Sequence, residues 1–206
     1  MIKEFEKRLI TSLILLPISI FFIIKGSIFF IFFLSILFLV TSYEWVLMSK
    51  KNNIFRFLGI IFLFFSFYSA FEFGENYKDF LFIITICIFT DIGGYIFGKI
   101  LKGPKLTKIS PNKTIAGALG SFVLTCTVMS GIIYYKINIF NFSILFTGLL
   151  TSFFCQLGDL FFSYLKRKAK LKDTGNLLPG HGGILDRLDG VFFGIPFGFV
   201  TLILFF

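Results

Sequence analysis

Residues 27–48 read SIFFIFFLSILFLVTSYEWVLM, seventeen positions without a charge before Glu44. As a helix this run would extend about 33 Å at 1.5 Å per residue, close to the roughly 30 Å of a bilayer's hydrocarbon core. Lipid offers no partner to a bare N–H or C=O group, so only helices and closed barrels cross it, and the alternation of a barrel strand is missing here. The run is therefore read as a membrane-spanning helix. Tyr43 and Trp45 are placed for an interfacial aromatic belt. Glu44, near the end of the span, is read as a surface partner of Lys50 or Lys51 rather than as a catalytic group.

The same signal repeats along the chain. A first span covers residues 9–24, with Pro17 tolerable inside a membrane helix; it follows Lys3, Lys7 and Arg8 as a signal peptide would. It lacks a small-residue cleavage pattern and further spans follow directly, so a retained helix is expected. A third span covers 57–71, and a fourth begins near Phe80 and ends in TDIGGYIFGK, residues 90–99. The fifth covers 114–135, with Ser110 to Thr114 as its turn and cap, the sixth 139–158, and the last 190–206 with Pro196 as a kink. With 56% hydrophobic and 20% aromatic side chains, the chain has too little polar surface to close one soluble core. The expected fold is all-α: a polytopic integral membrane helical bundle of about seven transmembrane spans. Residues 1–78 would form three N-terminal spans, and 79–206 a second domain with polar loops at 99–113 and 159–189.

The charge of +9 does not call for nucleic acid as a partner, because the basic residues sit in short loops beside apolar spans. With the N-terminus in the cytoplasm, 17 of the 20 Lys and Arg residues fall on the inner face, leaving Lys25, Lys78 and Lys136 outside. That bias follows the positive-inside rule. It puts Asp91, Asp159, Asp186 and Asp189 on the cytoplasmic side, where nucleotides and magnesium are available. The cysteines Cys87, Cys126 and Cys155 lie in apolar runs and read as buried hydrophobes, neither a disulfide framework nor a metal site.

Chemistry concentrates at the polar ends of the spans. Asp91 sits about two turns inside an apolar helix, which is costly unless it faces a cavity, a cation or a partner. Gly93, Gly94 and Gly98 leave room beside it for a close helix or a ligand. The following KILKGPKLTKISPNK, residues 99–113, offers five lysines to an anionic nucleotide, or simply marks topology. Residues 158–189, GDLFFSYLKRKAKLKDTGNLLPGHGGILDRLD, form the longest polar run. If the sixth helix continues past Gly158, then Asp159, Ser163, Lys166 and Lys170 share a face. Gly180-His181-Gly182-Gly183 is free to fold backbone N–H groups around an anion, and His181, the only histidine, is read as a hydrogen-bond donor rather than an acid or base. Asp186 and Asp189 are three apart and would share a face at the start of the last helix. Hard divalent cations are typically held by one or two carboxylates with substrate phosphates; Asp159, Asp186 and Asp189 meet that need if the last two helices pack side by side. A single histidine with no nearby cysteine argues against zinc.

Ser163-Tyr-Leu-Lys166-Arg167, then Lys172-Asp173-Thr-Gly175, Asn-Leu-Leu-Pro-Gly, and His181-Gly182-Gly183-Ile-Leu-Asp186-Arg187-Leu-Asp189 resemble the signature of the phosphatidate cytidylyltransferases. Gln156-Leu-Gly158-Asp159 and Asp91-Ile-Gly-Gly-Tyr95-Ile-Phe-Gly98-Lys99 also resemble motifs of that family, and the likeness runs from about residue 80 to 206. The resemblance implies a nucleotidyltransferase that moves CMP from CTP to phosphatidate, giving CDP-diacylglycerol and pyrophosphate in phospholipid biosynthesis. It makes 79–206 the catalytic domain, with a polar cavity at the cytoplasmic side of a bacterial inner membrane. Asp159, Asp186 and Asp189 become the magnesium and catalytic carboxylates, with Lys166 and Arg167 as catalytic cations. Asp91, Lys113, Ser163, Lys172, Asp173, His181, Gly182, Gly183 and Arg187 become substrate-binding. A monovalent cation such as K+ could assist, and a homodimer is expected from the family alone.

Two departures stand out. The family usually has tryptophan and glutamate where this chain has Ile115 and Ala116, and many members have more spans. A CTP-dependent lipid-alcohol kinase shares the need for magnesium and CTP, and would release CDP. A transporter would place its carboxylates near the midplane or across an internal repeat, and neither is evident.

Overall fold

A computed structural model describes residues 2–50, 52–73, 76–137, 142–180 and 182–205, so the expectation for His181 lies outside the described residues. The described elements are helices: α1 (Ile2–Lys25), α2 (Ser27–Met48), α3 (Asn53–Glu72), α4 (Tyr77–Leu101), α5 (Ile115–Ile137), α6 (Phe142–Lys168), α7 (Leu185–Leu188) and α8 (Val191–Phe205). Five of them, α2 to α6, contain stretches long and apolar enough to cross a membrane; the apolar parts of α1 and α8, Leu9–Lys25 and Val191–Phe205, are shorter. At 15 residues α8 extends roughly 22 Å, less than a full hydrocarbon core. The 27 residues of α6 extend roughly 40 Å, so its basic end reaches beyond such a core, as the expected extension past Gly158 requires.

Large apolar side chains face outward, among them Ile54, Ile100, Phe142 and Leu204, while hydroxyls are buried. An apolar exterior over an interior that mixes hydroxyls with side chains such as Ile83 and Met129 suits helices surrounded by lipid, where close packing and hydrogen bonds rather than water exclusion join helix to helix.

The chain forms two compact units: Met1–Phe80 with Lys166–Leu188, and Leu81–Leu165 with Asp189–Phe206. In the first, α2 packs against α1, α3 and α7. Trp45 is buried, its indole lying over Gly59 on α3 and its Nε1 donating to the Arg56 carbonyl at 3.1 Å. The expected aromatic belt therefore fails at Trp45, which is a helix-packing residue, while Tyr43 is exposed.

In the second unit, hydroxyls join three helices. Thr90 on α4 donates to Ser152 on α6 at 2.8 Å and lies 3.3 Å from Thr125 on α5, and Ser121 on α5 donates to the Thr90 carbonyl at 2.7 Å. A Cβ at Gly93 would stand 2.8 Å from the Ser121 Cα, so this glycine serves the close approach of α5 to α4. Helix α8 lies along α6 through stacked Phe154 and Phe197 and the Phe161–Phe193 pair, as the side-by-side expectation required.

Helix α6 ends in a reverse turn in which the Leu171 amide donates to the Lys166 carbonyl and the Lys170 amide to the Arg167 carbonyl. This is the Schellman pattern, and Lys170 takes the left-handed position (φ 59°) usually given to glycine. Lys170 therefore leaves the face shared by Asp159, Ser163 and Lys166. A second correction follows 16 residues later in the sequence: Asp186 belongs to the separate one-turn α7, and a turn at Asp189 and Gly190 intervenes before α8. The two carboxylates do not open one continuous helix.

Candidate active site

In the second unit, Asp91, Asp159, Lys113 and Asp189 come from four segments. The hydroxyl-linked turn of α4 at Thr90 fixes the backbone that presents Asp91, whose side chain is exposed. Lys113 closes a loop in which the Leu106 amide donates to the Lys113 carbonyl at 2.8 Å and the Ile115 amide to the Pro104 carbonyl at 3.0 Å. Thr114 then caps α5, its Oγ1 accepting from the Gly117 amide at 3.0 Å, as its sequence position anticipated. The Lys113 ammonium pairs with Asp159 Oδ2 on α6, both side chains less than one third exposed. Asp91 lies within electrostatic reach of both. The turn before α8 presses on α6 one residue earlier: a Cβ at Gly158 would stand 2.9 Å from the Asp189 carbonyl. Asp189 Oδ1 accepts from the Gly190 amide at 3.0 Å. Among the expected site residues, Lys113 and Asp159 are brought together as an ion pair, with the Asp189 backbone against the neighbouring Gly158.

In the first unit, Asp186 is a hub. Its Oδ1 accepts from Lys166 Nζ at 2.9 Å, and its Oδ2 from the amides of Thr174 and Gly183 at 2.8 and 3.0 Å. The Asp186 side chain is 4% exposed and that of Lys166 13%. A carboxylate so enclosed needs its hydrogen bonds to offset lost hydration. Leu178 and Gly182 exchange backbone bonds at 2.9 and 3.2 Å across the intervening turn. The amides of Gly182 and Gly183 are therefore committed within the chain, and the expected anion cradle is not offered by these two groups. Lys172, Asp173, Arg167 and Arg187 are exposed, with Arg167 Nη1 also reaching the Leu171 carbonyl at 3.4 Å. Ser163 is half-buried one turn beyond Asp159 on α6.

Sequence reasoning missed Glu44. It is buried, and instead of meeting Lys50 it accepts from the Ile184 amide at 3.0 Å, the Leu185 amide at 2.8 Å and the Thr174 hydroxyl at 3.2 Å. Lys51 lies outside the described residues. The available signal was the general one that an ionisable group inside an apolar helix has a specific partner.

Among the described residues, no group of three or more His, Cys, Asp or Glu side chains stands together as a metal site. The donor chemistry nevertheless fits magnesium, which takes one or two carboxylates and completes its shell with water and substrate phosphates rather than an all-protein cage.

A model of the cytidylyltransferase family matches residues 54–205. The chain belongs to this family. The match begins on α3, upstream of the residue-80 limit expected from motifs. A protein of Helicobacter pylori described as phosphatidate cytidylyltransferase is 42% identical over 123 residues, covering 57% of this chain and 46% of that protein. Another so described, from Staphylococcus aureus (strain COL), is 41% identical over 149 residues, 71% of this chain and 56% of that protein. The Staphylococcus saprophyticus relative is 40% identical over 132 residues, 63% and 51%. The matches thus span about half the length of these family members.

Proposed function

We propose that this cytidylyltransferase transfers CMP from CTP to phosphatidate, forming CDP-diacylglycerol and pyrophosphate. The observation that carries the proposal is the Lys113–Asp159 pair, with Asp91 in its electrostatic reach and the Asp189 backbone against Gly158, on family-matched helices otherwise apolar toward their surroundings. A soluble nucleotide and a lipid phosphate would need to meet where carboxylates and lysines stand at the end of such helices. Residues 79–206 are assigned as the catalytic part, with the N-terminus and the 99–113 and 159–189 loops facing the cytoplasm.

The phosphate monoester of phosphatidate, with a second pKa near 6, is largely dianionic at neutral pH. One of its oxygens attacks the α-phosphorus of CTP in line, the bond to the β-phosphate bridging oxygen breaks, and pyrophosphate departs. No proton need be removed from the nucleophile. Asp159, Asp186 and Asp189 are the carboxylates assigned to Mg2+, which when bound would neutralise charge on the phosphate oxygens. Lys113 and Lys166 keep Asp159 and Asp186 oriented. Arg167, Lys172 and Arg187, exposed and basic, are assigned to the acceptor phosphate or leaving pyrophosphate, and Asp91 and Asp173 to the polar surroundings of CTP. Ser163, Gly182 and Gly183 shape the binding segment, and His181 donates to a phosphate or carbonyl. K+ as an added cation and a homodimer remain part of the proposal only through the family.

Purified detergent-solubilised protein supplied with CTP, Mg2+ and phosphatidate should release pyrophosphate only when phosphatidate is present. Release of CDP instead would replace this reading with a lipid kinase.

A further inference from the structure

Glu44 and Asp186 grip the same segment. Both oxygens of Glu44 accept a backbone amide, Oε1 from Ile184 and Oε2 from Leu185, and Oε2 also takes the Thr174 hydroxyl. The Thr174 amide turns the other way, to Asp186 Oδ2, joined by the Gly183 amide. Ile184 and Leu185 lie at the start of one-turn α7, where backbone amides lack partners within the helix. A carboxylate from 140 positions away in sequence supplies them.

The fit is tight enough to dictate neighbouring residues. A Cβ at Gly175 would stand 2.8 Å from Glu44 Oε1, and one at Gly183 2.5 Å from Oε2. Glu44 is 1% exposed, so its charge is tolerable only while these donors are in place. Glutamine has nearly the same shape, yet its NH2 group would have to face a backbone N–H, because each carboxylate oxygen already accepts one.

We infer that Glu44 is a positioning residue for cytidylyl transfer: it clamps the 174–185 turn so that Asp186 and Arg187 are presented in one register. This rests on the function proposed above, but the clamp itself can be measured without turnover. The Glu44→Gln and Thr174→Val variants of the full chain would be purified in detergent and compared with the unmodified protein by amide hydrogen exchange across 173–189, Trp45 emission, and steady-state kinetics in CTP. In Glu44→Gln, exchange at Ile184 and Leu185 should rise at least tenfold while segments from α5 and α8 and the Trp45 emission stay unchanged. Its kcat should fall at least tenfold, with KM for CTP moving less than threefold. Thr174→Val, losing one donor of three, should shift both readouts in the same direction by less, and it carries the test if Glu44→Gln does not fold. Unchanged exchange at Ile184 and Leu185 in the folded variants would overturn the clamp. Raised exchange with unchanged kcat would overturn the link to transfer and leave Glu44 a packing residue. Inactivity of the unmodified protein would defeat the proposed reaction and Glu44's place in it, while the exchange comparison would still decide whether the clamp exists.

Discussion

Lys113 and Asp159 form an ion pair whose side chains are 27% and 30% exposed. Water screens a pair so placed, and its contribution to stability should be about 1 kcal/mol or less. If the pair serves substrate rather than fold, Lys113→Ala should lower turnover at least tenfold while moving the thermal midpoint by under about 4 °C. Turnover and melting measured on the same detergent preparation check this; a large loss of stability with proportionate loss of activity would make Lys113 structural. Asp159 and Asp189 stood out as candidates because their motifs are polar islands in apolar sequence. Glu44 was not: sequence proximity offered Lys50 as a partner, whereas Thr174, Ile184 and Leu185 become neighbours only through tertiary folding.

Helix α6 shows what periodicity can and cannot supply. Its continuation past Gly158 and the shared face of Asp159, Ser163 and Lys166 follow from 3.6-residue spacing, but its end is set by a left-handed turn that no motif announced at Lys170. An L-residue in that conformation costs about 1–2 kcal/mol, offset in a glycine by roughly 0.5–1 kcal/mol of backbone entropy. Lys170→Gly should therefore raise the thermal midpoint by about 2 °C, as scanning calorimetry in detergent would register. A lowered midpoint would mean that the lysine side chain stabilises the turn by more than the backbone strain. The break between α7 and α8 was equally invisible, since Asp186 and Asp189 keep helical spacing across a turn that is not helical.

For the whole molecule, the apolar runs made the all-helical membrane class legible, and α2 lies where its run of uncharged residues put it. The grouping of Lys166–Leu188 with the N-terminal helices was not legible, because it depends on contacts such as those of Glu44 rather than on composition. Sidedness rests on the loop lysines and can be tested directly. A cysteine introduced at Ser110 or Leu171 should resist a membrane-impermeant maleimide in intact cells and react after lysis, while one at Asn76 should react in both. The opposite pattern would invert the topology and remove Asp91, Asp159 and Asp189 from cytoplasmic CTP. The most direct test follows a radiolabel in the α-phosphate of CTP, with the protein, Mg2+ and phosphatidate, and with Asp189→Asn in parallel. Label should enter the lipid with one pyrophosphate per lipid formed, and the variant should lose at least ~99% of this rate, the scale of removing a group that stabilises transition-state charge. Unlabelled lipid, with the label recovered in CDP or in untouched CTP, would contradict cytidylyl transfer by this chain.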